Sequence, residues 1–384
     1  MNSPRRTTVR IPNLFSSDSP LVTMLLAITA LLVGFGLLMV LSASSISSGL
    51  NNDGNFLHDT LTQSAGVALG GAAALIIARF PLDFWRRFRN TFIVVGIGLQ
   101  AAVLMVGDSY GGNRNWIQIG GVSLQPSEFI KLALIVWLAV WIHDNPDHFD
   151  RPLMYWWDRQ LLWMIAPILL ILGGGDIGTV LIIGLIILGM LVIAGASARP
   201  LMFLGLSAIL LIVAYVTITP SSRGDRFSIW LTGCKPEDYE GACWQTIHGY
   251  WALGSGGLFG LGAGSSRSKW SWLPHAESDY IFAIIGEEFG LVGAIFLLLI
   301  IVALAVTLVR LMRAYPQPLT RAILAGVLVW IVGQSLVNIA VVLGLLPVLG
   351  VPLPMVSSGG SAIMANLLAI GVVISCVRHE EMHG

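Results

Sequence analysis

The sequence predicts an all-α integral membrane protein that crosses a bilayer about ten times. Three observations carry this. Of the 384 residues, 55% are hydrophobic and only 11% charged, whereas a soluble globular chain carries about a quarter charged residues. The apolar residues also fall in separate runs of spanning length instead of spreading through the chain, and mean hydropathy is +0.81. Finally, the arginines flank these runs unevenly, as the positive-inside rule requires of membrane helices.

The runs lie near 21–41, 61–78, 91–106, 129–142, 161–172, 177–194, 201–218, 280–308, 322–345 and 361–377. The first follows MNSPRRTTVR and is long enough to be a retained helix rather than a cleaved leader. The fourth and fifth are short. A single helix over 161–194 would be about 51 Å long against a hydrocarbon core of about 30 Å, so Gly173-Gly174-Gly175-Asp176 is read as a turn. The organisation is one transmembrane domain over 21–378, with short tails at 1–20 and 379–384, both placed in the cytoplasm.

Charge supports this count. With the N-terminus inside, the inner segments carry Arg5, Arg6, Arg10, Arg79, Arg86, Arg87, Arg89, Arg151, Arg159, Arg199, Arg310, Arg313, Arg321 and Arg378. The outer ones carry Arg114, Arg223, Arg226, Lys235, Arg267 and Lys269. Merging the fifth and sixth runs would reverse everything downstream and put Arg310, Arg313 and Arg321 outside. Lys+Arg and Asp+Glu are each 21, a balance that argues against a nucleic-acid binder.

Polar chemistry collects on the outer side. A connection at 220–279, between the seventh and eighth spans, is far longer than the roughly 15 residues beyond which structureless loops become uncommon. It holds Trp244, Trp251, Trp270 and Trp272, which suit the headgroup interface, and the stretch LGSGGLFGLGAGSS. Its RGD triplet is too short to signify. Cys234 and Cys243 lie in this loop, so a disulfide is expected in an oxidising compartment, with two free thiols the alternative. Cys376 is expected to stay reduced. No Cys/His spacing resembles a zinc site.

In GGNRNWIQIGGVSLQPSEFIK, Arg114 and Trp116 sit in a loop, while Glu128 and Lys131 share a helix face at i, i+3. That pair is either a structural ion pair or a functional intramembrane charge. Asp176 reads as a helix N-cap with Thr179 three residues on. Asp279, at the mouth of an apolar run, is either another N-cap or a general base tuned by burial and by cations at Arg267 and Lys269. In Asn338 to Ala362, Pro347, Pro352 and Pro354 interrupt the helix, which marks a cavity wall or hinge.

Three blocks together carry a family resemblance. Asn338, Gly344-Leu345-Leu346-Pro347, Gly350 and Ser357-Ser358-Gly359-Gly360-Ser361 resemble the signature of the SEDS (shape, elongation, division and sporulation) proteins, typified by FtsW and RodA. NRNWIQIGGVSLQPSEFIK and LPHAESDYIFAIIGEEFGLVGA resemble two further family segments. The sequence departs from the pattern at His275 and Glu277, whose order is exchanged, at Tyr280 for Phe, and at Gly175 where a Pro is usual.

The resemblance implies a peptidoglycan glycosyltransferase that polymerises lipid II on the outer face of the bacterial cytoplasmic membrane and releases undecaprenyl pyrophosphate. It implies Asp279 as the catalytic carboxylate and Arg114 and Trp116 as substrate-binding. Lys131, Arg223, Arg267, Lys269, Asn338, Ser357 and Ser358 are further substrate-site candidates. A divalent ion, Mg or Mn, is a second source of charge for the leaving pyrophosphate, and no organic cofactor is expected. The implied partners are a class B penicillin-binding protein and other division proteins, with the septum as location. The partner is expected to pack on the eighth and ninth spans through 295–308 and 323–332. HGYWALGSGGLFGLG and PLPMVSSGGSA look closer to the division branch than to the elongation branch. A lipid II flippase and a non-catalytic division scaffold are the rival readings.

Overall fold

In the computed structural model, apolar helices of spanning length pack side by side. The structure describes residues 19–110, 113–119, 122–146, 162–218, 222–235, 238–241 and 243–383. The expected tail at 1–18, with Arg5, Arg6 and Arg10, lies outside the described residues, as do Arg151 and Arg159. Helix α1 spans Pro20–Asn51, α2 His58–Ile77, α3 Leu82–Val106 and α4 Pro126–Asp144. Then come α5 Leu162–Gly173, α6 Ile177–Ile193 and α7 Ala198–Ile218. Among the described residues seven helices, Pro20–Asn51, His58–Ile77, Leu82–Val106, Pro126–Asp144, Ile281–Ala314, Pro318–Val342 and Gly360–Met382, are long and apolar enough to cross a membrane, and α5 and α6 are shorter apolar helices. The chain is a multi-pass membrane protein.

The break between α5 and α6 falls where the glycines predict it. Gly175 has φ +83°, a left-handed turn that a proline, locked near −65°, cannot make. The turn at this departure from the family pattern is therefore supplied by glycine. The α5 helix has only 12 residues and contains Pro167, so at about 18 Å it does not span the core by itself.

Two connections are more ordered than the sequence suggests. A three-stranded antiparallel sheet is formed by β1 Asp108–Tyr110, β2 Asn113–Ile119 and β3 Val122–Leu124. Its pairing aligns Arg114 with Ser109 and Ile117 with Leu124. The long connection holds α8 Ser222–Thr232 and α9 Trp244–Gly256. A disulfide joins Cys234 to Cys243 with Cα atoms 5.9 Å apart, and Cys376 is a buried free thiol.

Helix α10, Ile281–Ala314, is interrupted at Gly290, where φ 65° and ψ −162° leave the helical region. A side chain there would collide with the backbone of Leu258 and Gly260. Only glycine lets the 258–260 loop lie against this point. The ninth span is α11 Pro318–Leu328, a π-turn at Val329–Gly333, and α12 Gln334–Val342. Helix α13 runs Gly360–His383 and carries the expected tail at 379–383 as helix.

Helix α4 sits at the centre, with Ile130 to Ile142 buried. It packs on α3 and α11, while α2 packs on α13 and α10 on α1 and α9. One expectation about the surface is corrected. On α10, Ile295, Leu299, Val302 and Val306 are exposed, but Ile323, Leu324, Val327 and Ile331 are buried. The α11 run faces the bundle core because it packs on α4 and α6. An apolar partner surface is therefore offered by α10 and not by the 323–332 run.

Candidate active site

The broken segment after α12 and the loop before α10 are laced together by side chains from the signature block. The Asn338 amide donates to the carbonyls of Asp279 at 2.8 Å and Val351 at 2.7 Å. The Ser357 hydroxyl donates to the Ser278 carbonyl and accepts from the Leu353 amide at 2.8 Å. The Ser358 amide donates to the Glu277 carbonyl at 2.8 Å. From α2, Gln63 donates to the Ser357 carbonyl at 3.0 Å and accepts from the Gly359 amide at 2.9 Å. Three prolines and the left-handed Gly344 and Gly350 leave this segment without a helix's internal bonds. Side chains from α2 and α12 supply those bonds instead. Asn338, Ser357 and Ser358 thus act on the backbone of 277–279, and Gln63 joins them without having been singled out in the sequence.

The loop they hold presents Asp279. Helix α10 has Tyr280 at its N-cap, without a side-chain cap bond, so Asp279 does not cap the helix. Among the described residues no hydrogen bond reaches its carboxylate. A Cβ at Gly350 would lie 3.6 Å from Asp279 Oδ2, so the carboxylate faces the backbone of the broken segment at a residue with no side chain. Burial pushes the Asp279 carboxyl above the ordinary 3.8; His275 and Arg226 pull it down, and Glu277 and Asp176 push it up. Burial also raises Glu277. His275 itself is held at φ 55°, a conformation costly for a residue with a side chain.

The groups that bear on Asp279 are therefore His275 and Arg226, not the Arg267 and Lys269 expected from the sequence. The reason lies in two acids of α10. Glu287 accepts from the Ser266 hydroxyl at 2.6 Å and the Arg267 amide at 3.0 Å. Glu288 accepts from the Ser42 hydroxyl at 2.6 Å and pairs with Lys269 at 3.3 Å. The Lys269 ammonium also donates to the Gly264 carbonyl at 2.7 Å. Both glutamates and Lys269 are buried. They fasten the 264–269 loop to α1 and α10, and they leave the Arg267 side chain exposed. The signal in the sequence was the adjacent acids in an apolar helix.

The other candidates spread over two places. The Lys131 ammonium donates to Glu128 Oε1 at 2.7 Å and Gln334 Oε1 at 3.0 Å, and lies 5.0 Å from the Trp330 ring centroid. Lys131 and Glu128 are 1% and 2% exposed, so the geometry is that of a closed ion pair tying α4 to α12. Asp176 caps α6, accepting from the Thr179 amide and hydroxyl at 2.8 Å each. Arg114 is exposed on β2, its guanidinium donating to the Leu104 carbonyl at 3.1 Å and its amide to Gly174 at 2.9 Å. Trp116 is half-buried on the same strand. The Arg223 side chain lies outside the described residues. Trp244, His248 and Trp272 form a stacked group, with Trp244 and Trp272 centroids 6.0 Å apart.

The chain as a whole has relatives among known proteins. The chain matches the family model of the FtsW/RodA/SpoVE cell cycle proteins over residues 22–382. It is 34% identical over 366 residues to the probable peptidoglycan glycosyltransferase FtsW of Mycobacterium tuberculosis, covering 93% of this chain and 68% of that protein. It is 34% identical over 364 residues to the stage V sporulation protein E of Bacillus subtilis, covering 93% and 97%. A solved chain of a peptidoglycan synthase complex superposes with a TM-score of 0.74 at 24% identity, covering 92% of this chain and 96% of that one. The rod shape determining protein RodA of Thermus thermophilus superposes with a TM-score of 0.66 at 25% identity, covering 92% and 95%. With a family match that runs from the first span to the last, this chain belongs to the FtsW/RodA/SpoVE cell cycle protein family.

Proposed function

We propose that this protein is a peptidoglycan glycosyltransferase that polymerises lipid II at the outer face of the cytoplasmic membrane, with Asp279 as the general base. The observation that carries the assignment is the state of that carboxylate: partly buried, free of hydrogen bonds among the described residues, raised by burial, and held in place by backbone contacts alone. Asp176 and Glu287, by contrast, have both carboxylate oxygens engaged. A base must keep one open for the proton it takes.

The chemistry follows. Asp279 removes the proton of the acceptor sugar's 4-hydroxyl as its oxygen attacks the anomeric carbon of the donor. The bond to the lipid pyrophosphate breaks, and attack from the opposite face turns an α-linked donor into a β-linked product. Negative charge grows on the departing pyrophosphate, and fixed cations stabilise it. Arg226, whose charge bears on Asp279, and exposed Arg114 are the arginines assigned to it. A divalent ion, Mg or Mn, would draw its ligands from Asp279 and the substrate's own pyrophosphate oxygens. Among the described residues no three His, Cys, Asp or Glu side chains converge, so the substrate's own oxygens would be the larger share of such an ion's ligands.

A transpeptidase of the class B penicillin-binding type is the proposed partner, with the exposed α10 face at Ile295, Leu299, Val302 and Val306 as its contact. FtsW relatives and the division-like motifs favour the septum over the lateral wall, with both termini in the cytoplasm. A flippase would need open polar groups through the membrane. The deep charges Lys131 and Glu128 are instead paired with each other. The test is to purify the protein with its transpeptidase, add labelled lipid II and look for glycan strands. Strand formation supports the reading. Translocation of lipid II without polymer would favour a flippase, and neither activity would favour a scaffold.

A further inference from the structure

At the end of the bundle opposite Asp279, the tips of α6, α10 and α11 enclose a cavity of about 390 Å³ lined by Ile193, Val309, Met312, Arg313, Pro316 and Arg321. Four of its six walls are apolar, and the two polar ones are both cations. Neither arginine has an ion-pair partner among the described residues, although Arg86 and Arg89 at the same end both bind Asp144. Of the two acids that bear on Tyr315 at this turn, Glu381 accepts from the Tyr315 hydroxyl at 2.6 Å, and Glu380 forms no ion pair with either arginine among the described residues. Arg310, one turn back on α10, adds positive charge. The arginine distribution places this end in the cytoplasmic leaflet.

An apolar cleft at the membrane surface with two guanidiniums unpaired among the described residues suits a ligand that is itself half apolar and carries a phosphate. Guanidinium forks match phosphate oxygens, and basic pockets between membrane helices take anionic headgroups. We infer that this cavity binds the phosphate of an anionic phospholipid of the inner leaflet, with Arg313 and Arg321 as its ligands and Ile193, Val309 and Met312 against the glycerol and first acyl carbons. A free phosphate ester offers the same charge but nothing for those apolar walls. The site is on the far side of the bundle from the glycosyl-transfer site and does not depend on that reading.

Native mass spectrometry of the full-length protein, released from nanodiscs of phosphatidylglycerol and phosphatidylethanolamine, tests this. The wild type should retain phosphatidylglycerol in preference to phosphatidylethanolamine. The double variant Arg313→Gln/Arg321→Gln should hold it roughly 30-fold more weakly, since each cation near anionic lipid is worth about 1 kcal/mol. Arg313→Lys/Arg321→Lys should keep most of the binding, and the charge-matched control Arg79→Gln/Arg87→Gln should keep all of it. Glycerol phosphate at millimolar concentration should not displace the lipid. Equal retention by the glutamine pair, equal loss in the control pair, or no preference for the anionic lipid would overturn the site. Displacement by glycerol phosphate would overturn the lipid as its occupant.

Discussion

Asp279→Asn separates the catalytic role of this carboxylate from a structural one. The substitution keeps the side chain's size and leaves untouched the backbone carbonyl that Asn338 grips at 2.8 Å. It removes no hydrogen bond at the carboxylate, since none is made among the described residues. Loss of a general base costs about 10²- to 10⁴-fold in rate, or about 2.7–5.5 kcal/mol in barrier. Stability should move the other way. The folded carboxyl titrates above its ordinary 3.8 because of burial, so the folded state binds the proton more tightly than the unfolded one. Its contribution is then largest at low pH and declines as pH rises through the elevated value. Asparagine carries no charge to desolvate, so it removes that pH-dependent cost. The variant should therefore express, keep or slightly raise its melting temperature at pH 7, bind its transpeptidase and form no strands from labelled lipid II. Wild-type polymerisation should rise with pH on an acid limb set by a carboxyl above 3.8. Polymerisation near the wild-type rate by Asp279→Asn, or its loss in Glu277→Gln with Asp279→Asn unaffected, would refute the assignment.

Lys269→Ala should lower thermal stability by about 3–5 kcal/mol by leaving Glu288 buried without its ion partner. The added change Glu288→Gln should recover part of this, as a double-mutant cycle by thermal melting would register. Gly290→Ala should be defective in folding, at a cost of about 1–3 kcal/mol from backbone conformation alone, before the clash with Gly260; yield from membranes and melting temperature report it. Reducing Cys234–Cys243, which are 9 residues apart in sequence, should cost the outer loop about 2.7 kcal/mol in chain entropy. Peptide mapping without reductant should recover that pair linked and Cys376 as a thiol that reacts only after denaturation. Charged substitutions at Leu299 and Val302 should weaken co-purification of the transpeptidase, while the buried Ile323 should act through folding instead.

Much of this molecule is written in one-dimensional pattern. Lipid solvates any apolar run of sufficient length, so the spans follow from the sequence with no knowledge of their neighbours, and the arginine flanks orient them. The glycines before Asp176 place the α5–α6 break because only glycine reaches φ +83° without strain. The Asp176 cap and the Glu128–Lys131 pair depend on contacts three residues apart, which spacing alone specifies. The signature block and the position of Asp279 before α10 mark where the proposed site lies. What the sequence could not decide is which charge meets which. Lys269 is ten residues from Asp279 in the chain, yet it is bound to Glu288 and to Ser42 of α1, while Arg226, fifty-three residues away, bears on Asp279. The buried side of the 323–332 run, the β-sheet of 108–124 and the clasp of Gln63 on Ser357 and Gly359 are likewise long-range. Each is chosen by which helices pack together, and a bilayer gives every apolar face the same invitation until the bundle closes.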